Sequence, residues 1–549
     1  MSLKKDSLIR GTIILAAAAL IARFLGIFQR VPLDYLLTEA GGAYFTAANN
    51  IYLLLLVVAT AGIPSAISKM IAERHARGRI AEAREIYRAA LLFGVVTGVA
   101  VSSALMLLAP LLARDNPGAT ASIRAIAPAL LLFPVIAMMR GYFQGRQYMT
   151  AGGVSQIVEQ ILRVVTSVSL AFALYSWGYG DERIAAAASA GTIFGAVGAF
   201  AVMLGYAAKL RRADAADGRK ADAKSAKAAK AASRGRAGGG TRYGDVYREI
   251  FRLSVPIVLT SMTVQFFYYF DTQFFYRLTE VYYGSRDLTN AALDALGMKA
   301  QTIAGIPPIL AVALSQSIIP VISSAYATGN MREVSRQASL VLRIVIFTGV
   351  PVALALTAAA RSVTGLLYTP GGSGIVAALT AGTVLQIVMM TTNSTLFGLG
   401  KPRQAMYHTL TGMAVKAALS ALLGPALGVY GLILASTIGF LWIGGFNVLS
   451  IRKTVPIAVL GSRWLPYAGA VLLATAAGFG VDAAGLRLLD ALPYKLACFF
   501  TAAASCAVSG AAYLALMVLL GAVTREDAAS FPGPLKKLFA PLLRLRASR

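Results

Sequence analysis

The sequence predicts an all-α integral membrane protein of about fourteen transmembrane helices: two pseudo-symmetric six-helix lobes plus two C-terminal helices. Three observations carry this. Hydrophobic residues make up 57% of the 549 and charged residues only 14%, against about 25% charged in a soluble domain. Mean hydropathy is +0.67, and apolar runs recur at the ~20-residue length that crosses a hydrocarbon core. The third is a basic stretch at 209–242 that divides the chain. It sets eleven Lys and Arg against three Asp and has no large apolar residue after Leu210. Such a run buries too little surface to fold, so it reads as a disordered, solvated tether.

In chain order, spans are expected at 8–37, 43–71, 86–112, 119–144, 151–177, 184–208, 247–279, 288–325, 333–360, 374–400, 403–424, 427–450, 463–485 and 492–521. The first apolar run has no small-residue cleavage site and leads straight into further spans, which is the pattern of an uncleaved insertion signal. The long run at 288–325 contains Pro307, Pro308 and Pro320 and is expected to kink. The domain reading is an N-terminal lobe at 1–208, a basic cytoplasmic linker at 209–246 and a C-terminal lobe at 247–450. Two additional helices follow at 451–525, and a basic tail at 526–549.

The net charge of +27 fits either a nucleic-acid binder or a polytopic membrane protein, and its placement decides. With the amino terminus cytoplasmic, the basic residues gather on inner connections: Lys4 and Lys5, the 69–88 stretch, Arg140 and Arg146, the linker, Lys401 and Arg403, and the tail. Outer connections hold few, such as Arg114, Arg183 and Arg361. That asymmetry orients both termini to the cytoplasm and excludes nucleic acid as partner. A weak internal repeat pairs Gly78 with Gly329, Glu82 with Glu333, Gly145 with Gly400 and Arg146 with Lys401. Both sets lie in basic inner loops, so the two halves repeat in parallel, as in transporters that rock about a midplane site.

Enzyme chemistry finds no support. No His/Cys cluster has metal-ligand spacing, no Ser/His/Asp set forms a triad, and no GxxxxGK[ST] cradles a nucleotide. Cys498 and Cys506 lie about 12 Å apart along one helix, too far for a disulfide. A carrier of this kind is driven by an ion gradient, by membrane potential or by substrate flux.

Several segments carry a family resemblance: RGYFQGRQYMTAGGVSQIVEQILRVV at 140–165, RGTIILAAAALIARFLG at 10–26, ATAGIPSAISK at 59–69 and FDTQ at 270–273. Over about residues 8–450 the chain resembles bacterial exporters of lipid-linked polysaccharide precursors, namely the Gram-positive lipid II flippases of the MurJ type and their stage V sporulation protein B relatives. The resemblance implies a fourteen-helix member of the multidrug/oligosaccharidyl-lipid/polysaccharide exporter superfamily in the bacterial plasma membrane. Its implied activity is secondary flipping of an undecaprenyl-pyrophosphate-linked cell-wall precursor, most simply lipid II, by alternating access. Its partners would be the lipid-linked glycan and membrane lipids. A multidrug or cation antiporter of the same superfamily, an exporter of another lipid-linked polysaccharide unit, and a scaffold for cell-wall synthesis proteins are the alternatives.

Ionisable residues inside spans need a reason, because each costs about 2.5–3.5 kcal/mol at a helix centre. They are Arg23, Arg30, Asp34, Glu159, Arg163, Asp271, Asp294, Lys299 and Lys416. Arg23 and Arg30 lie two turns apart on one face of the first span, and a guanidinium offers a planar fork of donors to a pyrophosphate. Lys299 and Gln301 in the second half, with Asn49 in span 2, complete a candidate substrate-binding set. Against this, Arg30 has Asp34 at i+4 and Arg23 is placed to snorkel. Asp271, alone among aromatics, is the candidate for coupling to a cation, sodium or proton, with Thr392 and Asn393 supplying neutral oxygens. The alternative is a hydrogen bond to a neighbouring helix. Lys416 reads as a packing or snorkelling residue. Glu159 and Arg163, at i and i+4, read as a helix-internal ion pair. With Arg140, Gly145 and Gln156 they form a gating or structural group.

Overall fold

The computed structural model describes residues 8–60, 62–76, 79–225 and 243–523, and these are helical almost throughout, with no strand among them. The chain divides into two compact units: Met1–Gln29 with Ala47–Gln265, and Arg30–Thr46 with Phe266–Arg549.

The first unit is built from α1 (Leu8–Leu36) through Gln29, α2 (Glu39–Thr60) from Ala47, and α3 (Ile63–Ala76). It continues with α4 (Ile80–Leu112), α5 (Ala119–Gly145), α6 (Met149–Ser176), α7 (Asp181–Ser225) and α8 (Tyr243–Ser261). Its core joins Ile67 and Met70 of α3, Ile86 and Ala89 of α4, Met138 and Phe143 of α5, and Met203 of α7. Ile250 of α8 belongs to the same cluster, and Tyr247 donates its hydroxyl to the Ala89 carbonyl at 3.2 Å. The unit boundary therefore falls inside the expected 247–279 span rather than at the linker.

The second unit holds the Arg30–Thr46 segment together with α9 (Thr263–Tyr283) from Phe266 and α10 (Arg286–Asp294). A π-helical turn at Ala295–Ala300 leads into α11 (Gln301–Ala304), followed by α12 (Pro308–Ala327), α13 (Met331–Ala358), α14 (Ala360–Leu367) and α15 (Ser373–Gly398). Then come α16 (Pro402–Leu427), α17 (Val429–Arg452), α18 (Trp464–Leu488) and α19 (Tyr494–Leu519). One core cluster gathers Phe275, Leu293, Leu296, Tyr368 and Leu432. Another packs α18 and α19 onto α13 through Phe347, Tyr467, Tyr513 and Met517.

Among the described residues, eleven helices are long and apolar enough to cross a membrane, fewer than the fourteen spans expected. The difference lies in part in broken spans. The run at 43–71 is interrupted after Thr60 but keeps a crossing helix, whereas 247–279 breaks after Ser261 and 288–325 at 305–307, and neither contributes one of the eleven. The first and third breaks fall at the same tetrapeptide, Ala-Gly-Ile-Pro at 61–64 and 304–307, where proline removes a donor and glycine weakens the helix. Large apolar side chains face outward, with Leu107 79%, Val281 81% and Leu465 83% exposed, while ionisable residues turn inward. That inversion marks a multi-pass membrane protein.

The linker reading needs correction at its start. α7 continues through Ser225, because 209–225 is rich in Ala, Lys and Arg, which favour helix. Residues 226–242 and the 526–549 tail lie outside the described residues.

Candidate functional site

The RGYFQGRQ segment at the end of α5 is a junction inside the first unit. Gly141 and Gly145, one turn apart, let α5 approach α3: a Cβ at Gly145 would lie 2.7 Å from the Ser68 carbonyl oxygen, and one at Gly141 2.7 Å from that of Pro64. Such small-residue spacing is what close helix contact in a membrane needs. Arg140 donates through Nη2 to Glu159 at 2.8 Å and to Ser155 at 2.9 Å, both on α6. Arg146 makes two 2.7 Å hydrogen bonds to Asp214 on α7. Burial disfavours the Arg146 charge, but the Asp214 bonds outweigh this and raise its pKa above the ordinary value.

Glu159 and Arg163 are therefore not the i, i+4 pair that their spacing suggests. Glu159 takes Arg140 as its partner. Arg163, one turn on, donates to the Asn49 side-chain oxygen at 3.2 Å and lies 4.8 Å from the centre of the Tyr52 ring. Packing against α2 offers Arg163 an acceptor and an aromatic face. Asn49 thus belongs to this cluster, with its amide nitrogen unpartnered. Gln156 is partly exposed on α6.

In the second unit the basic candidates lie close to acids. Lys299, on the π turn, donates to the Thr369 carbonyl at 3.1 Å and hydroxyl at 2.9 Å, and lies 3.8 Å from Asp34. Asp34 accepts from the Thr369 N–H at 2.7 Å and its hydroxyl at 2.8 Å. Arg30 donates to the Gly297 carbonyl of the same π turn, where the wider i→i+5 pattern reshapes the backbone. Gln301 is buried with both amide atoms unpartnered. The Arg23 side chain lies outside the described residues. Arg30, Lys299 and Gln301 thus lie in one unit, with Arg30 bonded to the π turn that carries Lys299, whereas Asn49 is placed with Arg163.

Asp271 has a protein cation. Lys416 donates to Asp271 and, at 2.8 Å, to Ser420, and lies 4.5 Å from the Phe270 ring centre. Ser436 donates to the other Asp271 oxygen at 3.4 Å. Both charged groups are buried, so Lys416 neither snorkels nor serves as mere packing. Thr392 and Asn393 are not gathered at Asp271. They accept from the Asn447 amide at 3.1 and 2.7 Å, and Asn447 in turn meets His408 at 2.8 Å.

One cavity of about 450 Å³ was not foreseen. It is lined by Asp34, Glu39, Asp287 and Asp294 with Asn290 and Thr369. Only Asp34 and Asp294 stood out in the sequence, as ionisable residues within spans; Glu39 and Asp287 sit at helix starts that read as loop edges.

Taken together, the all-helical fold, buried charge clusters and lipid-facing apolar surface define a polytopic membrane protein with a transporter fold. The polysaccharide biosynthesis protein model matches residues 8–326, and the chain belongs to that family. The lipid II flippase MurJ model matches residues 295–486. The chain is 26% identical to lipid II flippase MurJ of Bacillus subtilis (strain 168), over 79% of this chain and 81% of that protein. It is 22% identical to stage V sporulation protein B of the same organism, over 83% and 85%. A solved structure of lipid II flippase MurJ in an inward closed conformation superposes with a TM-score of 0.65, at 12% identity, over 92% of this chain and 98% of that one. The two MurJ relatives are flippases, not enzymes.

Proposed function

We propose that this protein is a secondary flippase that moves an undecaprenyl-pyrophosphate-linked cell-wall precursor, lipid II in the first instance, from the inner to the outer leaflet by alternating access. The observation that carries the reading is that the two family matches together span residues 8–486, so both halves of the chain support it. Arg30 and Lys299, with Arg23, supply cationic donors for the pyrophosphate, and Gln301 a buried amide for a polar headgroup. Both termini are cytoplasmic in this scheme. Coupling to sodium or a proton at Asp271 requires the Lys416 ammonium to leave the carboxylate, so sodium dependence of transport tests that step.

A second reading, a carrier of organic cations, is favoured by the four carboxylates of the cavity. Complementation of a bacterium depleted of its own lipid II flippases separates the two. Rescue by the wild-type chain and loss of rescue by Arg30→Ala, at equal membrane abundance, is the expected result. Failure of a well-expressed wild-type chain to rescue would point to another lipid-linked glycan or to the cation carrier.

A further inference from the structure

The acidic cavity adjoins the pyrophosphate set through Asp34 and Thr369, which hold Lys299. Its lining includes no Lys or Arg among the described residues. Three of its four carboxylates have local reasons to be there. Asp34 accepts from Thr369 and faces Lys299. Glu39 and Asp287 stand in the first turns of α2 and α10, where the helix dipole favours an acid.

Asp294 has no such reason. It is only 6% exposed, yet among the described residues no hydrogen bond or ion pair reaches its carboxylate. Burying an ionised carboxylate without a partner is strongly unfavourable. On one side it packs directly on α2, since a Cβ at Gly42 would fall on the Asp294 carboxylate. The chain thus sets a buried acid at a cavity without a hydrogen-bond partner, while the nearby cations Lys299 and Arg30 are engaged with Thr369 and the Gly297 carbonyl.

The spacing of the acceptors indicates the occupant. Among the described residues no three Asp, Glu, His or Cys side chains are placed to hold a metal ion, so the carboxylates are spread too widely for chelation. The volume suits a piece of an organic ligand. A primary ammonium carries a full charge and three donors, which dispersed acceptors satisfy. Asn290 adds an acceptor, its side-chain oxygen already fixed by the Tyr276 hydroxyl at 2.8 Å.

We propose that this cavity binds the primary ammonium group of an organic ligand, with Asp294 as counter-ion and Asp287 and Asn290 as further acceptors. The inference rests on the proposed transport function only for the source of the ammonium. In a flippase it belongs to the headgroup of the lipid-linked precursor; in a cation carrier it is the transported molecule.

The test is direct binding to the full-length protein in lipid nanodiscs, with n-butylammonium, n-butanol, sodium chloride and magnesium chloride as probes. Saturable binding of n-butylammonium but not n-butanol is expected, weakened at least tenfold by Asp294→Asn and several-fold by Asp287→Asn. Both substitutions keep side-chain shape, and the melting temperature verifies folding. Binding of sodium or magnesium without the amine would overturn the proposal in favour of a metal site. So would amine binding unchanged in Asp294→Asn, or no binding of any probe by folded protein. A second arm reconstitutes translocation of an amine-bearing lipid-linked glycan beside its N-acetylated form. Slower movement of the acetylated form assigns the ammonium to the substrate headgroup, and equal movement assigns it to a free organic cation. If neither glycan moves, the flippase reading fails while the binding result stands on its own.

Discussion

In the first unit two arginines, Arg140 of α5 and Arg163 of α6, stand with a single carboxylate, Glu159, which Arg140 takes while Arg163 turns to Asn49. In the second, the Lys416 ammonium meets Asp271 one to one, and two serine hydroxyls complete the shell. The first arrangement leaves a surplus positive charge, spread over Asn49 and the Tyr52 ring. The second is neutral and closed, with both side chains at most 5% exposed. A closed pair suits a fixed scaffold. A cluster with surplus charge and an unpartnered amide nitrogen at Asn49 keeps capacity for a further acceptor.

The sharpest way to break this comparison is to remove one member of the closed pair. Lys416→Met leaves Asp271 buried without a cation and is expected to cost about 3–5 kcal/mol, whereas the Asp271→Leu/Lys416→Met double variant recovers most of that loss. Thermal melts of detergent-purified protein measure both. A single variant as stable as the double one would mean that another cation reaches Asp271.

Glu159→Gln is the matching change in the first unit, and a smaller effect is expected, about 1.5–3 kcal/mol, the worth of a hydrogen bond to a charged group. Arg140 keeps Ser155, and the new amide oxygen still accepts. If Glu159→Gln proves as costly as Lys416→Met, the surplus-charge description of the first unit is wrong. Next in size comes Gly145→Ala, which pushes a methyl against the Ser68 carbonyl and should cost about 1–3 kcal/mol by overpacking, with helix α3 displaced in cross-linking between positions 68 and 145.

These pairs show what the sequence carries and what it does not. Apolar runs and the inward ionisable residues are legible because each is a property of one segment and its solvent. Glu159 was mispaired with Arg163 because spacing reports only the helix that holds both residues; it says nothing of Arg140 arriving from α5. Lys416 reads as a packing or snorkelling residue for the same reason, its partner being 145 residues away. The repeat aligned Gly145 with Gly400, yet only Gly400 has the left-handed backbone, φ 70°, and the residue with that conformation after α5 is Gln147, φ 63°. Gly145 is needed for a close approach, a demand set by α3. The acidic cavity was illegible because its walls come from α1, α2, α10 and the 369 loop, and no one of these segments is unusual by itself.

The smallest effect concerns the edge of the first unit. α7 runs beyond the apolar part of its sequence, and Asp214 on that extension holds Arg146 with two 2.7 Å bonds. The Asp214 side chain is 30% exposed, so solvent screens the pair, and Asp214→Ala is expected to cost only about 0.2–1 kcal/mol. Its effect on order should exceed its effect on stability. Ala, Lys and Arg favour helix in this extension, but a helix end without tertiary packing is marginal, and this ion pair ties it to the α5 junction. Amide exchange at 209–225 should therefore quicken in Asp214→Ala while exchange in α5 and α6 stays unchanged. Equal exchange in variant and wild type would mean that the extension is held by its own helix propensity, and that the α5 junction ends at Arg140.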